Sequence, residues 1–521
     1  MTKLAAVRAS SKVIDGSAAA SDLDLSADTC VVGSGAGGAF VAATLAEAGV
    51  DVLLVEEGGY YTTRDFDMRE ADTIPKLYQE GMQRTTADLA ISVLQGRAVG
   101  GTTVVNWTTS FRTPEDVVDL WAKRHHVGGF GYADLVPHYE KVEERLSIHK
   151  VDEASMNRNN RKLFDGCKAL GWQADTLRRN VYSCMQTGYC GTGCPINAKR
   201  SMLVTLVPDA LDAGARLLFR CRVDRLDAAG GEIQTARATL LDTEGYAVTG
   251  KRATIRAKRF VLSGGAINSP AVLLRSGLDS GGLVGKRTFL HPAIGSVGTY
   301  EERIEAFYGA PQSAASHQFA RRGAEVGFFL ESVPSYPLLM STAMPGFGAT
   351  HAERMESFAK NAIHAAITID GFHDDVPGGV VRLRPSGAPL LDYPIVPVLW
   401  EVFRFAQKRF AEAQFASGAR SVTPLHDPPL VLTQASDVDR FDALPWEPCR
   451  VPIFTAHQMG GCAMGDDPKS SVVRSEDLRH HTLKNLFVVD GSVFPTSLGV
   501  NPQESIYGLA RLMATRMAER R

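Results

Sequence analysis

The feature that most constrains this chain is a glycine turn set between a strand and a helix. Gly33-Ser-Gly35-Ala-Gly-Gly38 follows the apolar run Thr29 to Val32 and opens a small-residue helical stretch that Gly49 ends. A second apolar strand, Asp51 to Glu56, comes next, and strands joined this way are parallel neighbours. Glycines at these positions let the backbone approach a pyrophosphate. The helix start offers free N–H groups and a positive dipole end, and Glu56 can accept a ribose hydroxyl. A turn made for packing alone would not call for that acid. The unit predicts a Rossmann-like α/β dinucleotide domain and leaves FAD and NAD unseparated.

Composition removes several classes of function. Hydrophobic residues make up 44% and charged residues 22% of 521, with 56 basic against 58 acidic side chains, so an ordinary globular chain is expected. That balance and the lack of a basic arm argue against a nucleic-acid partner. The longest uncharged run, Thr29 to Ala46, is broken by glycines and reads as strand, turn and helix, not as a membrane span. No secretory block opens the chain, so a cytoplasmic protein is expected, membrane-associated or periplasmic only if a partner subunit carries it.

Two further blocks sharpen the reading. Gly96-Arg97-Ala-Val-Gly100-Gly101-Thr102-Thr-Val-Val-Asn106-Trp-Thr108 passes from glycine-rich to hydroxyl- and amide-rich, and Gly264 to Gly277 forms a second turn and helix. With the first βαβ unit and residues 455–507, these blocks resemble the glucose-methanol-choline (GMC) oxidoreductases, FAD enzymes that oxidise alcohols. The likeness runs from about Asp28 to the carboxyl terminus and is nearest in feel to long-chain alcohol oxidases and to catalytic subunits of FAD-dependent sugar dehydrogenases. It implies a discontinuous FAD-binding domain (25–110, 200–295 and 455–521). A substrate or cap domain on a mainly antiparallel sheet would take 111–199 and 296–454. Residues 1–24, rich in Ala and Ser, are expected to form a flexible leading segment.

By the same resemblance, Gly33, Gly35, Gly38, Glu56, Arg97, Gly100, Gly101, Thr102, Asn106, Thr108, Val223, Asp490, Gly491 and Pro502 are the FAD-binding candidates. Small residues allow close approach, while Asn and Thr satisfy polar atoms of a buried isoalloxazine edge. The catalytic candidates are His457, ahead of a Gly-Gly pair in Thr455-Ala-His-Gln-Met-Gly-Gly461, and Asn501, ahead of Pro502. Asn501 also reads as a helix cap, since Pro502 suits the first helical position. The family mechanism would have neutral His457 accept the hydroxyl proton, Asn501 orient the carbinol, and hydride pass to flavin N5. A hydroxynitrile lyase, using the same histidine as base without redox turnover, is the alternative. His125, His126, His480 and His481 lack such context and are expected at the surface.

Cys184, Cys190 and Cys194 give C-x5-C-x3-C-P in the loop 184–194. The spacing is similar to that of sugar dehydrogenase subunits that hold a three-iron [3Fe-4S] cluster, yet alcohol oxidases carry a comparable loop, and unpaired thiols remain the other reading. A cluster would imply a protein acceptor, such as a small subunit or cytochrome. Without one, oxygen or a dye-like acceptor meets the flavin. Cys30, Cys167, Cys221, Cys449 and Cys462 read as small core residues. Phe307, Tyr308, Phe328, Phe329, Met340 and Met344 raise an apolar pocket for an aliphatic, aromatic or terpenoid alcohol, with core packing the plainer reading for most of them.

Overall fold

The computed structural model describes residues 10–520. The glycine-turn unit forms as read. The strand Leu23–Val32 pairs in parallel with Val52–Val55, Thr29 opposite Val52, and the helix Ala36–Glu47 joins them. Val52–Val55 is fully buried, as a parallel strand covered on both faces should be. The helix is apolar nearly all round, and its Phe40 ring meets Tyr507 of the last helix at 5.5 Å. Packing on both faces therefore replaces the usual amphipathic stripe.

This first sheet runs Val13–Asp15, Arg216–Phe219, Val52–Val55, Leu23–Val32, Val248–Leu262, Glu232–Leu241 and Cys221–Ala229. Its first five strands are parallel and its last two join antiparallel. The long strand Val248–Leu262 also takes Leu486–Val488 in parallel, Phe260 opposite Leu486. The short apolar runs around 259–263 and 486–490 thus return to the sheet of the glycine turn. The leading segment differs from expectation. Its first nine residues lie outside the described ones, but Val13–Asp15 is a parallel edge strand on Arg216–Phe219, and Asp15 pairs with Arg220 at 2.6 Å.

The second large sheet carries Ile91–Val93, Ile453–Thr455, Ala293–Thr299, Asn361–Thr368, Phe328–Ser332, Ala314–Ser316 and Asp175–Thr176. All its pairings are antiparallel except Ile91–Val93 with Ile453–Thr455. The helix Pro397–Ala416 covers it, burying Leu399, Phe403 and Phe410. Strands from distant parts of the chain, at 91–93, 293–299 and 453–455, therefore meet in one sheet and bring the residues after the first and last of them, and those at the start of the second, to a common place. No helix among the described residues is long and apolar enough to cross a membrane.

Candidate active site

A cavity of about 640 Å³ is lined from both sheets, within the range of about 300–1,000 Å³ usual for ligand pockets. At one end stands the glycine turn. Gly33 has φ +103°, and a Cβ there would come 2.3 Å from the Ser263 carbonyl oxygen. The helix behind starts at Gly35 with no side-chain cap, so its first N–H groups are free for a ligand. The Glu56 carboxylate accepts from Ser34 N at 3.0 Å, Ser34 Oγ at 2.6 Å and Gly58 N at 2.9 Å. Burial pushes its carboxyl above the ordinary range. Arg97 Nε meets Glu57 at 3.1 Å and its guanidinium lies over the Tyr246 ring, while Val223 adds to the same wall.

Midway, Asp490 accepts from Gly265 N (2.8 Å), Ser269 Oγ (2.6 Å) and Ser492 N (2.8 Å), and burial again raises its carboxyl. Gly101, Thr102 and Gly491 line the wall beside it. Two expected contacts lie behind the wall. Gly38 packs helix on strand, since a Cβ there would sit 1.9 Å from Gly33 O. Gly100 backs onto Leu203 and gives its N–H to Ser34 Oγ at 2.9 Å.

At the other end His457 and Asn501 face each other, with Asn501 Nδ2 3.2 Å from His457 Nε2. His457 leaves the strand Ile453–Thr455, its backbone N–H held by Thr455 Oγ1 at 3.1 Å. Burial drives its pKa down to about 4, so the ring is neutral and can take a proton. Asn501 is not the helix cap. Pro502 holds that position before Gln503–Glu519 without a side-chain bond, and the Asn501 amide turns into the cavity instead. Asn106 Nδ2 donates to Gln503 Oε1 at 2.5 Å, and Thr108 Oγ1 accepts from Arg179 Nε at 2.7 Å. Asn106 Oδ1 and Asn501 Oδ1 are buried with no hydrogen-bond partner among the described residues. Unpaired buried acceptors in a cavity wall call for donors from a ligand.

Sequence reasoning missed two residues at this end. His291, buried after Leu290, has Nδ1 3.3 Å from His457 Nδ1. Glu331 accepts from Asn501 Nδ2 at 3.2 Å and from Gln312 Nε2 at 2.6 Å. An acid in the middle of Phe328-Phe-Leu-Glu331-Ser is a signal that could have been read, because apolar strands rarely bury a carboxylate without a reason. None of Phe307, Tyr308, Phe328, Phe329, Met340 or Met344 lines the cavity. Four are core, Phe307 stacks on Phe358, and Tyr308 is exposed. His480 is buried, contrary to expectation, with Nε2 2.8 Å from Ser280 Oγ. His126 is exposed, and His125 and His481 are half-buried. Cys449 is exposed, while Cys30, Cys167, Cys221 and Cys462 are core.

The cysteine loop folds beside this end. Cys184, Cys190 and Cys194 border one cavity of about 10 Å³, room for a single water at most. Gln186 N reaches Cys184 Sγ at 3.4 Å, Lys199 N reaches Cys194 Sγ at 3.5 Å, and Arg179 approaches Cys190 at 3.8 Å. Among the described residues no three His, Cys, Asp or Glu side chains are grouped to hold a metal ion. The thiols so placed do not fit a three-iron cluster. Lys199 fills the space next to them, donating to the carbonyls of Asn106 at 2.9 Å and Cys190 at 2.8 Å, and burial lowers its pKa to about 8.

Two GMC oxidoreductase family models match this chain, over residues 74–293 and 391–510, and an NAD(P)-binding Rossmann-like model matches 31–83. An uncharacterized GMC-type oxidoreductase of Mycobacterium tuberculosis is 33% identical over 497 residues, which span 94% of this chain and 75% of that one. The chain belongs to the GMC oxidoreductase family. Among other GMC relatives, the Arabidopsis thaliana long-chain-alcohol oxidase FAO4B is 27% identical across 94% of this chain and 67% of its own. In fold, an Aspergillus oryzae formate oxidase variant studied for FAD modification superposes with a TM-score of 0.69 at 15% identity, over 96% and 99% of the two chains. GMC oxidoreductases bind FAD, and this chain is a flavoprotein oxidoreductase. The cavity fits that cofactor by its open helix N–H groups, its two buried carboxylates and the unpartnered amide oxygens.

Proposed function

We propose that this GMC oxidoreductase oxidises an alcohol to an aldehyde or ketone, with His457 as the proton acceptor. The observation that carries this reading is the meeting of His457 Nε2 and Asn501 Nδ2, 3.2 Å apart and 44 residues distant in sequence, at one end of the cavity. FAD, when bound, supplies the hydride acceptor. Glu56 would take its ribose, and the helix start at Gly35, with Asp490-Gly491, would take the pyrophosphate and ribityl chain. Asn106, Thr108, Gly101 and Thr102 would hold the isoalloxazine, and Val223 and Arg97 would border the adenine end.

His457, kept neutral by burial, receives the hydroxyl proton at Nε2. Asn501 donates an amide hydrogen to the carbinol oxygen and so aims the C–H bond. The start of the last helix, at Pro502 and Gln503, lies in the same wall and turns its positive end toward negative charge that develops there. Likeness to long-chain-alcohol oxidases favours an alcohol as the donor and oxygen or a small soluble acceptor as the oxidant. No electron step through the cysteine loop enters this reading.

The test is anaerobic mixing of purified holoprotein with a panel of primary and secondary alcohols while flavin absorbance is followed, with iron content measured on the same sample. Bleaching by an alcohol, without stoichiometric iron, is expected. A flavin that stays oxidised while a cyanohydrin is cleaved would move the enzyme to the lyase class.

A further inference from the structure

We propose that Glu331 is a positioning residue that sets which end of the Asn501 amide meets the substrate. The inference rests on the alcohol-oxidising reading and concerns a group whose effect runs through Asn501. Glu331 is fully buried on the strand Phe328–Ser332, beside Asn501 in the cavity wall. Its Oε2 accepts from Asn501 Nδ2 and from Gln312 Nε2, and Gln312 Oε1 accepts from Thr109 Oγ1 at 2.6 Å. That hydroxyl fixes the Gln312 amide, and the Gln312 amide in turn fixes the carboxyl. Thr109, Gln312, Glu331 and Asn501 all border the cavity, and Asn501 is the member of this chain that meets His457.

The carboxyl's protonation state then dictates the amide. An ionised Glu331 needs donors, so it holds Nδ2 toward itself. The second hydrogen of that nitrogen is left for His457 Nε2 or, with alcohol present, for the carbinol oxygen. A protonated Glu331 carries a hydrogen that favours an acceptor, and Asn501 Oδ1, buried and unpartnered, is the acceptor at hand. Turning the amide to meet it withdraws the N–H from the substrate. Glu331 Oε1 likewise has no partner among the described residues, so nothing else locks the carboxyl in one charge state. Burial raises its pKa to about 7, which places the change within the working range.

The groups on neighbouring elements leave this titration to Glu331. Across its own sheet it faces Ala315 and Ala365. His317 and His364 on those flanking segments, and His457 beyond Asn501, are all lowered to about 4 by burial, and His291 is lowered further. None of these rings changes charge near neutral pH.

The experiment is the pH profile of anaerobic flavin bleaching by an alcohol in the wild-type holoprotein, Glu331→Gln, Asn501→Ala and the double variant. The expected wild-type profile rises with pH through about 7. Glu331→Gln, whose oxygen still accepts from Asn501, loses that limb and keeps only one near 4. Its rate constant above the limb should lie within about tenfold of wild type with KM little changed. In the Asn501→Ala background the Gln substitution should add less than about twofold, since both act through one amide. An infrared carboxyl band that titrates near 7 in wild type and is missing in Glu331→Gln reads the same group without turnover. An unchanged limb in Glu331→Gln, or an equal further loss in the double variant, overturns the inference and leaves alcohol oxidation standing. Wild-type flavin that no alcohol bleaches overturns the oxidation reading itself, and this inference with it.

Discussion

The glycine-turn half and the carbinol half of the cavity are built by different means. At the first, backbone atoms do the work: Gly33 at positive φ, the uncapped start at Gly35 and carboxylates held by N–H groups. At the second, side chains from remote strands meet, with His457, Asn501, Glu331 and His291 brought from four separate segments. At Gly33 the first half has no room for a side-chain atom, whereas the second depends on which of its groups carry protons. Cofactor retention should therefore follow the backbone of one half, and turnover the ionisation of the other.

That contrast can be broken experimentally. Gly33→Val should give the largest effect, because its Cβ would press on the Ser263 carbonyl at 2.3 Å. The purified protein is expected to lose its flavin, read as the ratio of flavin to protein absorbance. A normally yellow variant would show that the turn is not what holds the dinucleotide. His457→Ala comes next. It should keep full flavin absorbance while the bleaching rate constant falls about 10²- to 10⁴-fold, the usual worth of a positioned general base. Equal loss of flavin and of rate would erase the distinction between the halves.

Acid stability gives the smallest and most graded comparison. His364 and His457 have folded pKa values lowered to about 4, whereas an unfolded imidazole titrates near ~6.5. Below ~6.5 the unfolded chain binds protons that the folded chain refuses, so stability falls as pH drops toward 4. His364→Gln, away from the chemistry, should flatten the melting-temperature curve over that window without shifting the pH profile of turnover. A curve as steep as wild type would mean that other groups set the acid sensitivity.

The same contrast explains what could be read from the residues alone. Spacing writes backbone motifs into sequence, so the turn at Gly33 and Glu56 were legible, while Asp490-Gly491 came through the family resemblance. What was not legible is which glycine faces the ligand. Gly38 and Gly100 satisfy the same need for a missing side chain, but toward Gly33 O and Leu203. Asn501 was read both as cap and as catalyst, and the placement of Pro502 at the cap removes the first role. Glu331 stands out as an acid inside an apolar strand, though that pattern does not say what it faces, while His291 sits in the loop before Ala293–Thr299 with no local pattern to mark it. The cysteine spacing suggested metal ligation, yet backbone N–H groups and Lys199 occupy the surroundings of the thiols.

The strand Val248–Leu262 is flanked at its carboxyl end by Leu23–Val32 on one side and by Leu486–Val488 on the other. On a ribosome, everything up to residue 485 can emerge while that second flank is still missing, along with Asp490 and Asn501. A nascent chain therefore shows a bare parallel edge and a half-walled hollow until residues 486–501 arrive.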